Sequence, residues 1–578
     1  MASMFDTLQL PTVDPDLPLD HVIGLLTRPE MPFAIQELDI DGTKHTAFVN
    51  QPPSLRDAFM MFLGHADREF LVYGEDRYTY AETITMASQF AQALADDFGV
   101  KKGDRVALAM RNYPEWPIAY MGIVAAGGIA VLMNAWWTEE ELAWAMDNCG
   151  ATLAVTDAPR AERLRPLVEN GSIRVIVARD AFDGSEGLFS FSAALEGKKP
   201  MVWPSVDLGS EDDAMMLYTS GSTGFPKGAL STHRAVVSVL MNWVCIALAL
   251  KMLGRLNMDP DFQPVMLATV PFFHVTGLLP VLLVSATLGR KLVLMHKWDV
   301  EDAFRLIEAE GVTGMTGVPT MSFEMASSPL RHKFDLSTLV DLGGGGAARP
   351  PEHVKLIKQV FPESNPGIGY GLTETNSLGA VLSADEYIER PTSTGKPTPP
   401  LIHVKIICPN TGKDQPTGVP GEVCIKSVTN IRKYWNNPEA TARAFRDGWF
   451  YSGDVGYLDD EGYLYIVDRL KEIIIRGGEN ISTLEVEGVL HGISGVHDVM
   501  VLSLPDERMG ELVGAVVSAD KNLTEEALKV EVGKHLAGFK VPEKIWITHE
   551  PLPVIASGKI DRNGIKTAYQ DLWRSSVK

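Results

Sequence analysis

Residues Leu217–Leu230 read LYTSGSTGFPKGAL. From Thr219 to Gly224 every side chain is a hydroxyl or a hydrogen, and Pro226 and Lys227 follow. Glycine at 221 and 224 lets backbone N–H groups converge on an anion with no Cβ in the way. Ser220, Ser222 and Thr223 add hydroxyl donors, and Lys227 adds a mobile positive charge. Chemically this is a cradle for a polyphosphate. It is not a Walker A loop, because two residues separate Gly224 from Lys227 and Gly228 follows the lysine. Taken alone, the same composition also suits a flexible Gly/Ser linker. The flanks favour the cradle: the apolar run Ala214–Tyr218 predicts a strand and His233–Leu248 a helix, and strand–loop–helix is where phosphate sites form.

Around this loop lie 578 residues, too many for one core, so more than one domain is expected. Apolar content of 45% and charged content of 22% are those of a globular protein. A formal charge of -22, with no basic stripe or polybasic run, argues against nucleic acid and anionic membrane as partners. Any site for an anionic substrate must therefore be made locally positive. Cys149, Cys245, Cys408 and Cys424 are far apart and fit neither a disulfide framework nor a zinc site, so a cytoplasmic chain with reduced thiols is expected. The acidic start has no basic residue before His21, unlike a signal peptide, and the last tripeptide is not the peroxisomal address. Trp116–Thr138 is uncharged and long enough to span a membrane, but Gly127-Gly128 breaks it. A buried helix, a turn and a buried strand explain it better, and no integral membrane segment is expected.

Reading in order, residues 1–55 are a Pro- and Asp-rich lead-in with a short helix near His21–Leu26, and Ser54–Val100 has helical patterning. Lys101–Asp104 is a turn and Arg105–Met110 a strand. Thr138-Glu-Glu-Glu141 is a capping box opening a helix that ends at Gly150. Strand (Ala151–Val155), helix (Arg160–Glu169) and strand (Ile173–Ala178) follow, an alternation that predicts a largely parallel sheet. Lys251–Gln263 reads as an exposed insertion.

Four further stretches carry chemistry. Val270–Gly277 (VPFFHVTG) places Phe273, His274 and Val275 at a strand end, where they line a pocket or merely fill a core. Leu342–Ala348 (LGGGGAA) has four consecutive glycines, either backbone lying flat against a ligand or a loose loop. Gly369–Thr375 (GYGLTET) offers Tyr370 to stack on a purine, Thr373 to donate to a phosphate and Glu374 to hold Mg2+. Tyr451–Asp454 (YSGD) ends in an aspartate suited to hydroxyls or to a turn.

TSGSTGFPKG closely resembles the phosphate loop of the adenylate-forming enzymes, and YGLTET, YSGD, Asp468–Lys471 (DRLK) and Ser557–Arg562 (SGKIDR) resemble their later motifs, in that family's order. The acyl-CoA synthetase branch is the best match. The resemblance spans the chain from about residue 50. It implies a large N-terminal α/β domain with stacked sheets, residues 1–470, and a small mobile α+β domain, residues 471–578. It implies ATP, Mg2+ and CoA as cofactors. Thr219, Ser220, Gly221, Ser222, Thr223, Gly224 and Lys227 would hold the phosphates, with Glu374 and Thr223 at the metal. Gly345, Gly346, Ala347, Tyr370, Gly371 and Thr373 would hold adenine and the α-phosphate, and Asp454 and Arg469 the ribose. Lys471 would be the pivot, Gly477, Gly478 and Asn480 the pantetheine loop, and Lys559 the catalytic lysine. Phe273, His274, Val275, Gly277, Gly344 and Gly345 would wall the acyl pocket. Amino-acid-activating relatives usually carry an aspartate near His274; its absence favours a plain carboxylic acid. Ala348 stands where the family has proline. The expected reaction is acyl-adenylate formation followed by transfer to CoA, with medium- to long-chain fatty acids ahead of aryl acids. The alternative is a freestanding enzyme loading a carrier protein. A homodimer is allowed for, although nothing in the sequence specifies it.

Overall fold

A computed structural model describes residues 13–182, 185–219, 226–257, 259, 261–476, 479–555 and 559–576. Two large sheets organise most of the chain. In one, eight strands run in the order Lys433–Tyr434, Lys227–Thr232, Asp213–Thr219, Ile129–Leu132, Arg105–Ala109, Leu153–Asp157, Arg174–Ala178 and Leu188–Ser190. Pairing is parallel from Asp213–Thr219 to Leu188–Ser190 and antiparallel beyond. The second has nine strands, with a parallel centre that includes Gly314–Gly317, Asp341–Gly345 and Asn365–Tyr370.

Both faces of these strands are covered, which is why they read as apolar runs. Along Arg105–Ala109, Val106 and Leu108 join the core between the sheets, while Ala107 and Ala109 join a second cluster on the outer face. The inner core is filled by the helices Tyr80–Asp96, Glu115–Ala125 and His233–Met252, with Tyr80, Trp116 and Tyr120 fully buried. His233–Met252 is long and apolar enough, by length and composition, to cross a membrane. With 72% of its most apolar window buried inside the fold, it is a core helix. The run at Trp116–Thr138 is a buried helix, a turn at Gly127 (φ +87°) and a buried strand, as expected.

A five-stranded antiparallel sheet built on His403–Ile407, Gly421–Lys426 and Trp449–Leu458 leads through Leu464–Arg469 to the C-terminal region. There, Val496–Asp506 and Gly510–Ala519 form a long hairpin with its own cores, centred on Val501, Val513 and Leu528 on one side and on Leu504, Val516 and Ile565 on the other. Separate cores make this a second, small α+β domain. Ser482 caps its first helix, accepting from Glu485 N at 3.2 Å.

Two expectations are corrected. The helical patterning assigned to Ser54–Val100 contains an antiparallel strand pair, Glu69–Tyr73 and Asp76–Thr79, closed by a turn at Gly74 (φ +58°). Alternation over so few residues is hidden between two amphipathic helices. The phosphate loop is not followed by a helix either. It joins two antiparallel strands in register from Thr219↔Lys227 to Asp213↔Thr232. The helix at His233 starts at the far end of that hairpin, capped by Thr232, so its N-terminal dipole does not face the loop.

Candidate active site

Ser220–Phe225 lie outside the described residues, but the strand ends that hold them are placed. Thr219 Oγ1 donates to Lys227 O at 3.4 Å. The Lys227 ammonium lies 4.4 Å from the centroid of the Tyr434 ring, and Tyr434 OH donates to Glu374 Oε1 at 2.6 Å. Cation, ring and carboxylate are thus stacked across three elements. Tyr434 reaches this position because its two-residue strand pairs with Ala229 on the loop's returning strand. Burial lowers the Lys227 pKa, against the pull of Glu374, and Lys471 and Arg443 lower it further.

The Gly369–Thr375 segment is held tightly. A Cβ on Gly371 would lie 2.1 Å from Ser377 O, so no other residue fits this bend. Asn376 (φ +49°) is fully buried; it accepts from Ser231 Oγ at 3.0 Å and donates to Thr429 O at 2.8 Å. This clamps the turn carrying Thr373 and Glu374 to the phosphate hairpin. Neither Asn376 nor Tyr434 is singled out by the sequence: Asn376 reads as an ordinary turn residue, and Tyr434 sits in a stretch with no pattern.

Tyr370 OH donates to Asp454 Oδ2 at 2.7 Å, and Arg469 Nε lies 3.2 Å from Asp454 Oδ1. Asp454 and Arg469 are register partners on adjacent strands. Burial raises the Asp454 pKa, and the Arg469 charge and the Tyr370 hydroxyl oppose that. Asp468, next in line, turns the other way. It accepts from Thr483 N and, at 3.2 Å, from Thr483 Oγ1, anchoring the first helix of the C-terminal domain.

Lys559 reaches into the N-terminal domain. A Cβ on Gly346 (φ +76°) would lie 3.1 Å from Lys559 Cε and 3.3 Å from Nζ. The lysine closes a small cavity lined by His274, Thr276, Val318, Gly345 and Gly346. The cavity holds about 10 Å³, room for a single water. Burial, then Arg469, pulls the Lys559 pKa down to about 8 against Asp454, and burial with Lys559 nearby holds His274 down to about 3, a neutral imidazole. The backbone here is fixed by Ile555 N donating to Lys559 O at 2.7 Å. Arg562, three residues on, is bound to Glu487 through Nη2 at 2.6 Å and to Glu472 through Nη1 at 3.2 Å.

The remaining sequence candidates divide. Gly345 lines the cavity; Gly344 faces away, where a Cβ would meet Arg349 Nη2 at 2.4 Å. Its missing side chain therefore makes room for the buried Arg349 and not for an acyl group. A Cβ on Gly277 would meet Pro271 O at 2.1 Å, at the start of the π-helical turn Gly277–Leu283. Phe273 packs edge-on against Trp136 with centroids 5.2 Å apart, and Val275 is buried. Ala347 is exposed. Gly477, Gly478, Ser557 and Gly558 lie outside the described residues, as does the side chain of Asn480, whose backbone pairs with Ile475. Among the described residues no group of three or more His, Cys, Asp or Glu could hold a metal. Glu374 offers hard oxygen donors beside the phosphate hairpin, the donor type Mg2+ takes when phosphates supply the rest. All four cysteines are free thiols.

Stacked α/β sheets, a hairpin flanking the Gly/Ser/Thr-rich loop, the buried carboxylate of Asp454 and Lys559 reaching in from a second domain make the arrangement of an adenylate-forming enzyme. Residues 62–435 match the AMP-binding enzyme family and residues 485–559 the AMP-binding enzyme C-terminal domain. The chain is 34% identical over 508 residues to "Long-chain-fatty-acid--CoA ligase FadD13" of Mycobacterium tuberculosis, covering 87% of this chain and 94% of that protein. It is 30% identical over 494 residues to "4-coumarate--CoA ligase 2" of Solanum tuberosum, covering 85% and 88%. The solved "Mycobacterium tuberculosis fatty acyl CoA synthetase" superposes with a TM-score of 0.68 at 30% identity, covering 90% of this chain and 99% of that one. The protein belongs to the AMP-binding enzyme family, among its acyl-CoA synthetases, and is an AMP-forming ligase.

Proposed function

We propose that the protein activates a hydrophobic carboxylic acid, medium- to long-chain fatty acids foremost, and transfers the acyl group to CoA. The observation that carries this reading is the meeting of Lys559 with Gly346 and His274 in the cleft that also holds Asp454, Arg469 and Tyr370. In the first half-reaction a carboxylate oxygen attacks the α-phosphorus of ATP, the bond to the bridging oxygen breaks, and pyrophosphate leaves. Such transfer needs charge neutralised and reactants held in line. Lys559 bridges the carboxylate and the α-phosphate. Thr219 and Lys227, with the hydroxyls of Ser220, Ser222 and Thr223 and the backbone of Gly221 and Gly224, hold the departing phosphates. Thr373 donates to the α-phosphate, Tyr370 with Gly345 to Ala347 and Gly371 packs along the adenine, and Asp454 and Arg469 hold the ribose. Glu374 and Thr223 would hold Mg2+, which neutralises phosphate charge when bound.

In the second half-reaction the thiol of CoA attacks the acyl carbon and AMP leaves. For this the C-terminal domain, residues 471–578, turns about Lys471, withdrawing Lys559 and bringing Gly477, Gly478 and Asn480 to the pantetheine. Among the described residues Lys559 is the only charged side chain on the cavity, and with His274 neutral this supports an uncharged acyl group. The names of the relatives, fatty-acid and coumarate ligases, support the same class. The cavity is too small for an acyl chain as it stands, so the acid enters with rearrangement of its walls. Free thiols and ordinary composition suit a cytoplasmic setting.

The test is AMP release across a panel of fatty and aryl acids, with free CoA against holo-carrier protein as acceptor. Release with fatty acids and CoA is expected. Turnover only with carrier protein makes it a loading enzyme, and preference for aryl acids corrects the substrate class. In Lys559→Ala, adenylate formation should fall by at least about a thousandfold, as for loss of a transition-state charge contact, while thioester formation from pre-made acyl-adenylate persists. Equal loss of both steps removes the domain exchange.

A further inference from the structure

Away from the pivot and the catalytic lysine, the two domains also meet through aromatic rings. Phe323 and His353, on the N-terminal helices Pro319–Ser327 and Pro351–Val360, stack with centroids 4.2 Å apart and planes at 18°. His491, the last residue of the C-terminal helix Thr483–His491, meets His353 edge-on at 5.9 Å and 74°. Among the described residues neither imidazole makes an ion pair, and His353 Nδ1 is buried with no hydrogen-bond partner. Burial, His491 and Arg349 hold His353 down to about 3, and burial holds His491 down to about 4. The rings meet as neutral aromatics. At the same seam Glu324, which accepts from Trp298 Nε1 at 2.6 Å, and Asp498 of the other domain are close enough to raise the Glu324 pKa, after burial.

The placement of these rings ties them to the lysine. His353 lies seven residues after Gly346, on the helix that follows the strand where Lys559 docks. Phe323 lies five residues after Val318, which lines the same cavity. A ring contact here therefore holds the C-terminal domain on the two elements that wall the lysine's cavity. We infer that His353 and His491, with Phe323, form a clasp that holds the C-terminal domain in the arrangement seating Lys559 against Gly346, and so are positioning residues for adenylate formation alone. This rests on the proposed exchange of domain arrangements. Phe323, His353 and His491 are not among the residues lining the lysine's cavity.

The full chain and its His491→Ala and His491→Phe variants test it, with dodecanoate as the acid. His491→Ala should lower dodecanoate-dependent ATP–pyrophosphate exchange about three- to tenfold, the range of one aromatic pair. Thioester formation from dodecanoyl-adenylate and CoA should stay within about twofold of the parent. His491→Phe, which keeps a ring, should restore exchange, and both variants should melt with the parent. An equal fall in both half-reactions, no fall in either, or a Phe variant as poor as the Ala variant overturns the clasp. If Lys559→Ala does not separate the half-reactions, it is the underlying reading of domain exchange that fails.

Discussion

The hydroxyl of Tyr370 donates to the carboxylate of Asp454 across 84 residues of chain, at 2.7 Å. It joins the end of one large sheet to the five-stranded sheet that leads to the second domain. Asp454 is buried and accepts from Tyr370 on one oxygen while Arg469 faces the other. A carboxylate so fixed cannot turn away from a ligand.

That arrangement predicts an ATP-specific defect. Asp454→Ala should raise the KM for ATP at least about tenfold, for the loss of two hydrogen bonds worth about 1 kcal/mol each, and leave the KM for the acid within about twofold. Tyr370→Phe, which keeps the ring, should raise it less. Steady-state kinetics with each substrate varied decides the matter; equal effects on both substrates would mean that Asp454 serves the fold rather than the nucleotide.

Lys559 predicts a pH dependence that divides the two half-reactions. Its pKa is depressed to about 8 by burial and Arg469. In the proposed reaction adenylate formation needs the ammonium, so its rate should fall as pH rises through about 8, while thioester formation from pre-made adenylate should not follow that limb. The stability sign runs opposite to that of a paired base. Between about 8 and the ordinary lysine value the unfolded chain binds the extra proton, so stability rises with pH over that window. Half-reaction rates and melting measured on one pH series check both; a limb shared by the two half-reactions would refute the assignment.

Arg562 predicts a stability effect confined to the small domain. It holds the buried Glu487 at 2.6 Å, and Glu487 also accepts from Val501 N at 2.8 Å. Arg562→Met leaves Glu487 buried without its charge partner, at a cost on the order of 3 kcal/mol. Hydrogen exchange should accelerate over residues 479–555 and stay unchanged between 55 and 219. Glu487→Gln added to Arg562→Met should recover most of the loss; failure to recover would mean the arginine acts mainly through Glu472.

Much of the proposed site was legible because its parts are local. A run of hydroxyls and glycines before a lysine, or an aromatic flanked by glycines and four residues from a carboxylate, is a pattern of neighbours. Tyr434 and Asn376 were not legible, since their roles depend on which strand pairs with which. Tyr434 meets Glu374 only because a two-residue strand pairs with Ala229. Asn376 matters only because the hairpin it grips lies beside it.

From residue order alone come the class of enzyme and the residues proposed for its nucleotide site and its lysine, because short-range chemistry and its order along the chain carry them. Folding in three dimensions decided the rest: that the phosphate loop closes a hairpin with no helix dipole behind it, that Gly344 yields its space to Arg349, and that two imidazoles meet across the domain seam. Those depend on register and on the direction of each Cα–Cβ bond, which only packing of distant segments can set.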